Sequence, residues 1–343
     1  MSDRASDVAA SKEALFTHVA EQYAGFFGTW LVNVGRRAKL FETLQAEGPL
    51  TEEALAATLG YEPRYVRTWC RGAYAFELVT HDPQEGYALA PHVQEVLLDP
   101  SDPSFMGGRA EFFPMLTADF EMYPERLVDG GLYPFSARPP ELVTTMQAAA
   151  RADAPNAIHN VLPSAPGLVE RLAAGGHILD AGCGAGYGLA AFTEAFPEAE
   201  VIGIEIDPAS VAASRERASD TARVDQVHLL EAGFRDEFDL VWANISLSHT
   251  WGAGPEVFAA LAAAARPGGF VLCSDVPYAE ALGELRSTAG RLFTGVTVYV
   301  SLLGFELLTP TELLGRMNES GLQDVRLVDQ PARTRMMALG RKP

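Results

Sequence analysis

Cysteine is scarce in this sequence: the 343 residues include three, far apart and without a C-x-x-C pair. A disulfide framework needs an even, closely spaced set of cysteines, and a zinc ribbon needs paired thiolates, so neither is indicated. The N-terminal stretch also lacks the basic start and apolar core of a signal peptide. We therefore expect a cytoplasmic protein with reduced thiols.

Positive charge and long apolar runs are scarce as well. Lys and Arg number 26 against 45 Asp and Glu, which gives a formal net charge of −19. Binding to nucleic acid or to an anionic membrane requires clustered Lys and Arg, so neither partner is expected. The longest uncharged apolar run, residues 292–305, has about fourteen residues and is too short to span a bilayer. A globular protein remains, long enough for two domains.

The most informative stretch starts at residue 177 and reads HILDAGCGAGYGLAAFTEAFPEAEVIGIEID. A short apolar strand closes at Asp180 and is followed by a turn with glycine at every second position, namely Gly182, Gly184 and Gly186. Glycine admits positive φ angles and lets the backbone approach a ligand closely, so this turn is a candidate ligand cradle. A helix and a second apolar strand, 199–206, complete a βαβ unit whose crevice lies at the carboxyl ends of its strands.

The spacing of these glycines separates two cofactor classes. A dinucleotide fingerprint, G-x-G-x-x-G, needs a third glycine where this sequence has Tyr187. Asp180, directly before the turn, would repel a diphosphate but attract a cationic ligand. Glu205, at the end of the next strand, can accept two hydrogen bonds from ribose hydroxyls. An ammonium group at one end and a ribose at the other describe S-adenosylmethionine, which leaves an NAD(P)-dependent oxidoreductase as the disfavoured alternative.

On these residues, LDAGCGAG followed by VIGIEID resembles the Class I, Rossmann-like S-adenosylmethionine-dependent methyltransferases. The resemblance extends from about residue 177 to the C-terminus and implies an α/β domain with a seven-stranded sheet. In that family the glycine loop lies against the methionine part of the cofactor, and acids after the second and third strands bind the ribose and the adenine amine. The cofactor-binding residues that the resemblance implies are Asp180, Gly182, Gly184, Gly186, Glu205, Ile206, Glu231, Ala232 and Asn244.

The later strands are expected in family order. We predict three more parallel strands, each followed by a polar residue: 227–230 before Glu231, 238–243 before Asn244, and 270–274 before Asp275. A capped helix and a closing hairpin follow from about residue 307. The segment between the fifth strand and that hairpin, residues 278–305, is an insertion expected to close over the substrate.

Residues 1–100 indicate three helical segments and a hairpin, which is a winged-helix pattern. The third helix carries Arg64, Arg67 and Arg71 on roughly one face, a feature of DNA-binding modules. Charge opposes that function, because residues 1–100 hold eight Lys or Arg against fourteen Asp or Glu. Many small-molecule methyltransferases have a similar layout, and their module serves dimerisation and forms part of the substrate wall. We therefore expect a homodimer formed through this domain.

The sequence thus predicts a winged-helix domain over 1–100, a helical substrate-lining segment over 101–165 and a methyltransferase domain over 166–343. The middle segment is rich in aromatic residues and prolines, which predicts helices joined by proline turns. It either lines an apolar pocket, the usual character of small-molecule sites, or packs the two domains together. Three of its arginines are candidates to meet an acidic substrate: Arg109, Arg138 and Arg151.

A catalytic base is needed only when the methyl acceptor is a protonated hydroxyl, an acid or an acidic carbon, because transfer from a sulfonium is an in-line displacement. His249, in NISLSHTW after the fourth strand, is the best-placed candidate, since the histidine pKa lies near neutrality. In the related O-methyltransferases a histidine after this strand acts as the base. A structural or ligand-orienting role for His249 is the alternative. Weaker candidates are Asp275, Tyr278, Tyr299 and His159.

No metal is predicted. Some relatives with this architecture hold a metal through two histidines, the second from the insertion after the fifth strand, and no histidine follows His249 here. The expected function is methylation of a small, partly aromatic or apolar metabolite at a hydroxyl oxygen. Methylation at carbon or nitrogen is the alternative within the fold. A non-catalytic winged-helix regulator that senses the cofactor is the alternative of another class.

Overall fold

The computed structural model describes residues 11–134, 137–247, 254–329 and 335–343, and at residue 140 it describes the backbone only. The chain forms two compact units. One contains the described residues up to Asp99 together with Phe105–Pro114, and the other contains Pro100–Ser104 with the described residues from Met115 onward. The division at residues 100 and 165 drawn from the sequence stays a prediction.

The first unit is a helical module with a small hairpin. Two of its helices begin at side-chain caps, since Ser11 and Thr51 accept hydrogen bonds from the backbone amides of Ala14 and Ala54. Its elements are α1 (Lys12–Arg37), α2 (Leu40–Glu47), α3 (Glu52–Leu59), α4 (Pro63–Ala75), β1 (Val79–Asp82), β2 (Gly86–Leu89), a π-helical turn (Gln94–Leu98) and α5 (Gly107–Met115).

The core of this module forms where the helices cross. The rings of Phe41 in α2 and Trp69 in α4 meet edge to face with centroids 5.0 Å apart, and both are buried. The hairpin pairs Val79 with Leu89, and Leu50 adds a single bridge to Tyr87. Helix, helix, helix and wing appear in the predicted order, so the winged-helix pattern is confirmed.

The second unit is built on a seven-stranded sheet. Its strands are β3 (His177–Ala181), β4 (Glu200–Glu205), β5 (Ala222–Gln226), β6 (Phe238–Asn244), β7 (Ala265–Asp275), β8 (Gln323–Leu327) and β9 (Met336–Arg341). They lie in the order β5-β4-β3-β6-β7-β9-β8. Strands β3 to β7 are parallel to one another, and β9 pairs antiparallel with both β7 and β8.

The strand order reverses between β3 and β6, which lie side by side although β4 and β5 separate them along the chain. Crevices at such reversals are where open α/β sheets bind ligands. Strands β3, β4 and β6 are almost wholly buried, which explains their nearly continuous apolar sequences. The predicted α/β fold with a Rossmann-like sheet is confirmed.

The predicted third parallel strand was wrong. It was placed over residues 227–230, whereas the strand is β5, which ends at Gln226, and residues 229–232 form a short helix, α12 (Leu229–Ala232). The His228 side chain caps that helix by accepting from the Leu230 amide at 3.2 Å. The cause is burial: β5 is an edge strand in which only Val224 is buried, so its charged sequence hid it beside the apolar run.

Helices cover both the linker region and the faces of the sheet. They are α6 (Thr117–Asp129), α7 (Pro140–Ala149), α8 (Asp153–Asn156), α9 (Leu168–Ala173), α10 (Tyr187–Ala195), α11 (Pro208–Arg217), α13 (Pro255–Ala264), α14 (Thr288–Leu302) and α15 (Pro310–Glu319), with short π or 3-10 turns over Ala157–Val161, Leu162–Ser164 and Glu284–Arg286. The capped helix expected near residue 310 is confirmed by the capping box of Thr309 and Glu312.

The prediction that prolines divide the linker helices was wrong at two positions. Pro114 lies inside α5 and Pro124 inside α6. A proline in a helix removes the hydrogen bond to the carbonyl four residues earlier, which is Ala110 for Pro114. The side-chain amide of Asn33 donates to that carbonyl at 2.9 Å, so tertiary structure satisfies the group that Pro114 leaves open.

Candidate active site

A cleft opens at the carboxyl ends of β3, β4 and β6, at the reversal of strand order. The cleft is open to solvent, and the space within it and at its mouth is about 720 Å³. Its wall combines the glycine loop, the ends of three strands and one face of α7. The lining residues are Met146, Gln147, Ala150, Ala154, Asp180, Gly182, Cys183, Gly184, Ala185, Tyr187, Gly188, Glu205, Trp242, Asn244, Ile245 and Ser246.

The glycine loop adopts the left-handed backbone that the sequence predicts. Gly182, Gly184 and Gly186 have φ angles of 80°, 54° and 82°. At Gly186, the N-cap of α10, a Cβ would also lie 2.6 Å from the Ser214 hydroxyl. A side chain is therefore excluded there by both conformation and space.

Glu205 joins the loop to the end of β4. Its Oε2 accepts from the Gly184 amide at 3.0 Å, and its Oε1 accepts from the amides of Ile206 and Asp207 at 2.7 and 2.9 Å. Three backbone donors hold the carboxylate in one orientation. A carboxylate has about four lone-pair directions, so it can still accept from a hydroxyl of a ligand in the cleft.

Asp180 is a buried carboxylate, 2% exposed, at the end of β3. Its Oδ2 has no hydrogen-bond partner among the described residues. Burial and, secondly, the negative charge of Glu205 raise the pKa of Asp180 to about 7, against which a backbone hydrogen bond from Leu189 acts. Gly188 packs on this group so closely that a Cβ would lie 2.5 Å from Oδ2.

Asn244 ends β6 on the other side of the cleft. Its Nδ2 donates to Asp153 Oδ2 at 3.1 Å, while within the described ranges its buried Oδ1 has no partner. The next residue, Ile245, has a φ of 59°, a strained conformation for a β-branched side chain, and its amide donates to the Ser274 carbonyl at 2.8 Å.

Two buried acceptors that have no partner among the described residues, Asp180 Oδ2 and Asn244 Oδ1, thus belong to residues that line the same cleft. An unsatisfied buried acceptor is costly, so such a pair suits a ligand that brings hydrogen-bond donors. An ammonium group has three donors and a positive charge that complements Asp180. The residues present therefore fit the amino end of S-adenosylmethionine, and Glu205 fits its ribose.

Sequence reasoning missed the contribution of α7. Met146, Gln147 and Ala150 line the cleft, and the Gln147 amide donates to the Ser210 hydroxyl at 2.9 Å across the glycine loop. Met146 connects the cleft to the insertion, since the Tyr299 hydroxyl in α14 lies 3.1 Å from its sulfur. No local pattern marks these positions, which are brought to the site by tertiary packing alone.

Of the predicted cofactor residues, Asp180, Gly182, Gly184, Glu205 and Asn244 come together at the cleft. The others do not line it. Gly186 caps α10 and Ile206, 38% exposed, follows Glu205. Glu231 and Ala232 lie on α12 instead of at a strand end, and Glu231 is exposed. Their roles in binding stay predictions.

The catalytic candidates are scattered. His249 lies outside the described residues. Asp275 and Tyr299 are fully buried, whereas Tyr278 is 36% exposed and His159 is exposed. Burial raises the pKa of the Tyr299 hydroxyl well above its usual range, which does not suit it to proton transfer near neutrality.

The three arginines proposed for an acidic substrate have protein contacts. Arg138 forms a buried ion pair with Asp119, and its guanidinium lies over the rings of Tyr133 and Tyr299. Arg109 is buried and donates to the sulfur of Met106. Arg151 donates to the Ala148 carbonyl, and its guanidinium lies 5.7 Å from the Tyr187 ring centroid.

Two further findings concern ligand and membrane binding. Within the described residues there is no group of three or more His, Cys, Asp or Glu arranged to hold a metal ion. Over the same described ranges, no helix has the length and apolar character needed to cross a membrane. The three cysteines are free thiols, all buried.

Comparison with known proteins agrees with this architecture. Residues 178–269 match a family model described as a methyltransferase domain, and residues 28–98 match one described as an Rv2258c-like winged HTH domain. None of the curated protein sequences matches the chain significantly.

Solved structures share the fold over nearly the whole chain. Human N-acetylserotonin methyltransferase, solved in complex with S-adenosylmethionine, is 16% identical with a TM-score of 0.73, and the match covers 98% of this chain and 99% of that one. An O-methyltransferase family protein from Burkholderia thailandensis is 16% identical with a TM-score of 0.67, covering 97% and 99%. The mitomycin 7-O-methyltransferase is 20% identical with a TM-score of 0.67, covering 98% and 100%.

At these identities the structural likeness establishes the fold, and the family model identifies the domain that carries the cleft. The glycine loop, the acid at the end of β3 and the acid at the end of β4 all lie within or at the start of the matched region. The chain therefore carries a methyltransferase domain with a Rossmann-like α/β fold, preceded by a winged helix-turn-helix domain.

Proposed function

We propose that this methyltransferase transfers a methyl group to a hydroxyl oxygen of a small, partly aromatic or apolar metabolite. The cofactor half of the proposal is supported by two acceptors, Asp180 Oδ2 and Asn244 Oδ1, which lie on residues lining one cleft and have no partner in the described part of the chain. Bound S-adenosylmethionine supplies an electrophilic methyl group on a sulfonium, so the chain has to orient the acceptor and manage one proton.

Each part of the cleft has a proposed task. Asp180 and Asn244 accept hydrogen bonds from the ammonium group, and Glu205 accepts from the ribose hydroxyls. The glycine loop, freed of side chains at Gly182 and Gly184, lies against the methionine part. Ile206, Gly186, Glu231 and Ala232 complete the proposed set at the ribose and adenine end, where the structure places them outside the cleft lining.

The cleft lining includes apolar side chains that could meet the methyl acceptor. Met146, Ala150 and Trp242 offer hydrocarbon, sulfur and aromatic surface, and Tyr299 packs behind Met146. Such a surface favours a planar or apolar molecule over a highly charged one. Similarity to a mitomycin 7-O-methyltransferase and to N-acetylserotonin methyltransferase supports a small acceptor and a hydroxyl target.

His249 is the proposed base. A neutral imidazole can take the hydroxyl proton as the oxygen attacks, which prevents a positive charge from forming on that oxygen. In sequence it comes five residues after Asn244, the last residue of β6. Carbon or nitrogen acceptors would use the same cleft with less demand on a base.

We further propose a cytoplasmic homodimer formed through the N-terminal unit, with no role in DNA binding. Arg67 is paired with Glu53 and Arg64 lies over the Tyr65 ring, so this helix face is not a basic stripe. Helix α1 instead exposes large apolar side chains, which are Leu15, Phe16, Tyr23, Phe26, Phe27, Trp30 and Val34. Sedimentation at twice 36.9 kDa tests the dimer.

The reaction itself is tested with methyl-labelled S-adenosylmethionine and a panel of small aromatic and alicyclic acceptors. Each acceptor is paired with an analogue whose hydroxyl is replaced by hydrogen or by an amine. Label transfer to the hydroxyl compounds alone supports O-methylation. Transfer to the amines or to ring carbon, identified by mass fragmentation, would contradict it while leaving the methyltransferase class intact.

A further inference from the structure

An ion pair stands behind the cleft wall at Asn244. Arg335 Nε donates to Asp153 Oδ2 at 2.8 Å, and the two side chains are 7% and 4% exposed. The same Asp153 oxygen accepts from Asn244 Nδ2 at 3.1 Å. Asp153 lies in α8, Asn244 ends β6 and Arg335 directly precedes β9, so the contact ties together separate parts of the second unit.

The chemistry of this contact fixes which way the Asn244 amide faces. An ionised carboxylate accepts hydrogen bonds and cannot donate them, so only the NH₂ end of the amide can face Asp153. Arg335 supplies the counter-charge that a buried carboxylate requires. The Asn244 oxygen is consequently the end that remains for a ligand, and it has no partner in the described part of the chain.

The backbone supports the same orientation. Ile245, directly after Asn244, holds a φ of 59°, and strained conformations of β-branched residues persist where surrounding contacts enforce them. Its amide is bonded to Ser274 on β7, the residue whose Cα is paired with Asn244 in the sheet. Both the side chain and the backbone at this strand end are therefore held from outside the cleft.

We propose that Asp153 and Arg335 are positioning residues for the cofactor: they hold Asn244 so that its Oδ1 accepts a hydrogen bond from the ammonium group of the bound nucleoside. The inference rests on the proposed function, in which Asn244 binds that ammonium group. Its consequence is selectivity, since the chain should prefer a ligand that carries the amino group over one that lacks it.

The test measures dissociation constants by calorimetry for S-adenosylhomocysteine and for its analogue without the amino group. The dissociation constant of the analogue divided by that of S-adenosylhomocysteine measures the contribution of the ammonium contact. Replacing Asn244 by Leu should lower the ratio about tenfold, the usual effect of a hydrogen bond to a charged group. Replacing the ion pair by apolar residues of similar size, Asp153→Leu with Arg335→Met, should lower it similarly, because the amide is no longer oriented.

Two further variants complete the test. Asp153→Asn can present either its oxygen or its NH₂ group to Asn244, so it should lower the ratio by less than the double variant does. Ser274→Ala is the control, because it keeps the backbone carbonyl that accepts from Ile245 and should leave the ratio unchanged. A ratio altered by Ser274→Ala would assign the Asn244 oxygen to the neighbouring strand and overturn the proposal.

The outcomes separate this inference from the function on which it rests. If the wild type binds neither ligand, both fail. If it binds S-adenosylhomocysteine but the double variant, with an unchanged melting temperature, keeps the wild-type ratio, the positioning role alone is refuted. Should the double variant fail to fold, Asn244→Leu decides, because an unchanged ratio there removes the contact that Asp153 and Arg335 are proposed to orient.

Discussion

The Glu205 carboxylate accepts a hydrogen bond from the Gly184 amide at 3.0 Å, across 21 positions of sequence. This bond connects the end of β4 to the loop after β3, so the carboxylate proposed for the ribose and the loop proposed for the methionine part are set relative to each other before any ligand binds. Preorganisation of this kind lowers the ordering cost of binding.

Replacing Glu205 by Gln should therefore weaken both the contact with the glycine loop and the proposed contact with the ribose. The oxygen of the Gln amide can still accept from backbone donors, but its NH₂ group cannot accept from backbone amides or from ribose hydroxyls. We expect affinity for S-adenosylhomocysteine to fall about 10- to 100-fold, the effect of losing hydrogen bonds to a charged group. Calorimetry measures it, and an affinity within twofold of wild type would remove Glu205 from the site.

Binding should also depend on pH through Asp180. Its pKa is raised to about 7, so the carboxyl is protonated in the free protein at lower pH and must ionise to pair with an ammonium group. Affinity for S-adenosylmethionine should rise close to tenfold per pH unit well below 7 and level off above it. Asp180→Asn should bind more weakly and lose this dependence. A parallel pH profile in the variant would contradict the assignment.

The stability of the free protein should show the opposite trend. A carboxyl whose pKa is raised by folding, here from the ordinary 3.8, contributes most below pH 4, and the contribution is lost as pH rises toward 7. Relative to Asp180→Asn, the wild type should thus lose free energy of unfolding across that window. Urea titrations of both proteins at matched pH values measure the difference without interference from other groups.

Gly188→Ala tests the close packing on Asp180. Alanine normally favours a helix by about 1 kcal/mol over glycine, but here its Cβ would lie 2.5 Å from Asp180 Oδ2. We expect a net loss of about 1–3 kcal/mol of stability with weaker cofactor binding. Gly315→Ala in α15 is the matched control: its Cβ meets nothing within 4 Å, so it should stabilise. Equal gains in both variants would refute the steric account.

His249→Ala should separate catalysis from binding. Removing a general base lowers kcat by about 10²- to 10⁴-fold, while affinity for S-adenosylhomocysteine should stay within about twofold of wild type. Single-turnover kinetics with a hydroxyl acceptor measure the step directly. Unchanged turnover would show that the acceptor loses its proton by another route.

The parts of the fold that the sequence predicted are those whose burial leaves a local trace. Strands β3, β4 and β6 are buried on both faces and therefore appear as apolar runs ending at Asp180, Glu205 and Asn244. The edge strand β5 buries only Val224, so no apolar pattern marked it. Pro114 remained helical because Asn33, distant in sequence, satisfies the carbonyl that it leaves open.

The site divides in the same way. The glycine loop and its flanking acids are contiguous with the strands that carry them, so their positions followed from the βαβ unit. Gln147 and Asp153 reach the cleft region from α7 and α8 through hydrogen bonds spanning 63 and 91 positions. Contacts of that kind depend on how helices pack against the sheet, which no short stretch of sequence encodes.

The cleft is proposed to bind a nucleoside with a positively charged amino acid end. The most direct measurement is a calorimetric titration of the purified chain with S-adenosylhomocysteine, S-adenosylmethionine and NAD at pH 7.5, a pH chosen just above the Asp180 pKa of about 7. We expect saturable one-to-one binding of the first two at micromolar levels, about 8 kcal/mol of binding free energy, and no binding of NAD. If neither adenosyl compound binds at millimolar concentration, or if NAD binds more tightly than they do, the proposed ligand of the cleft is wrong.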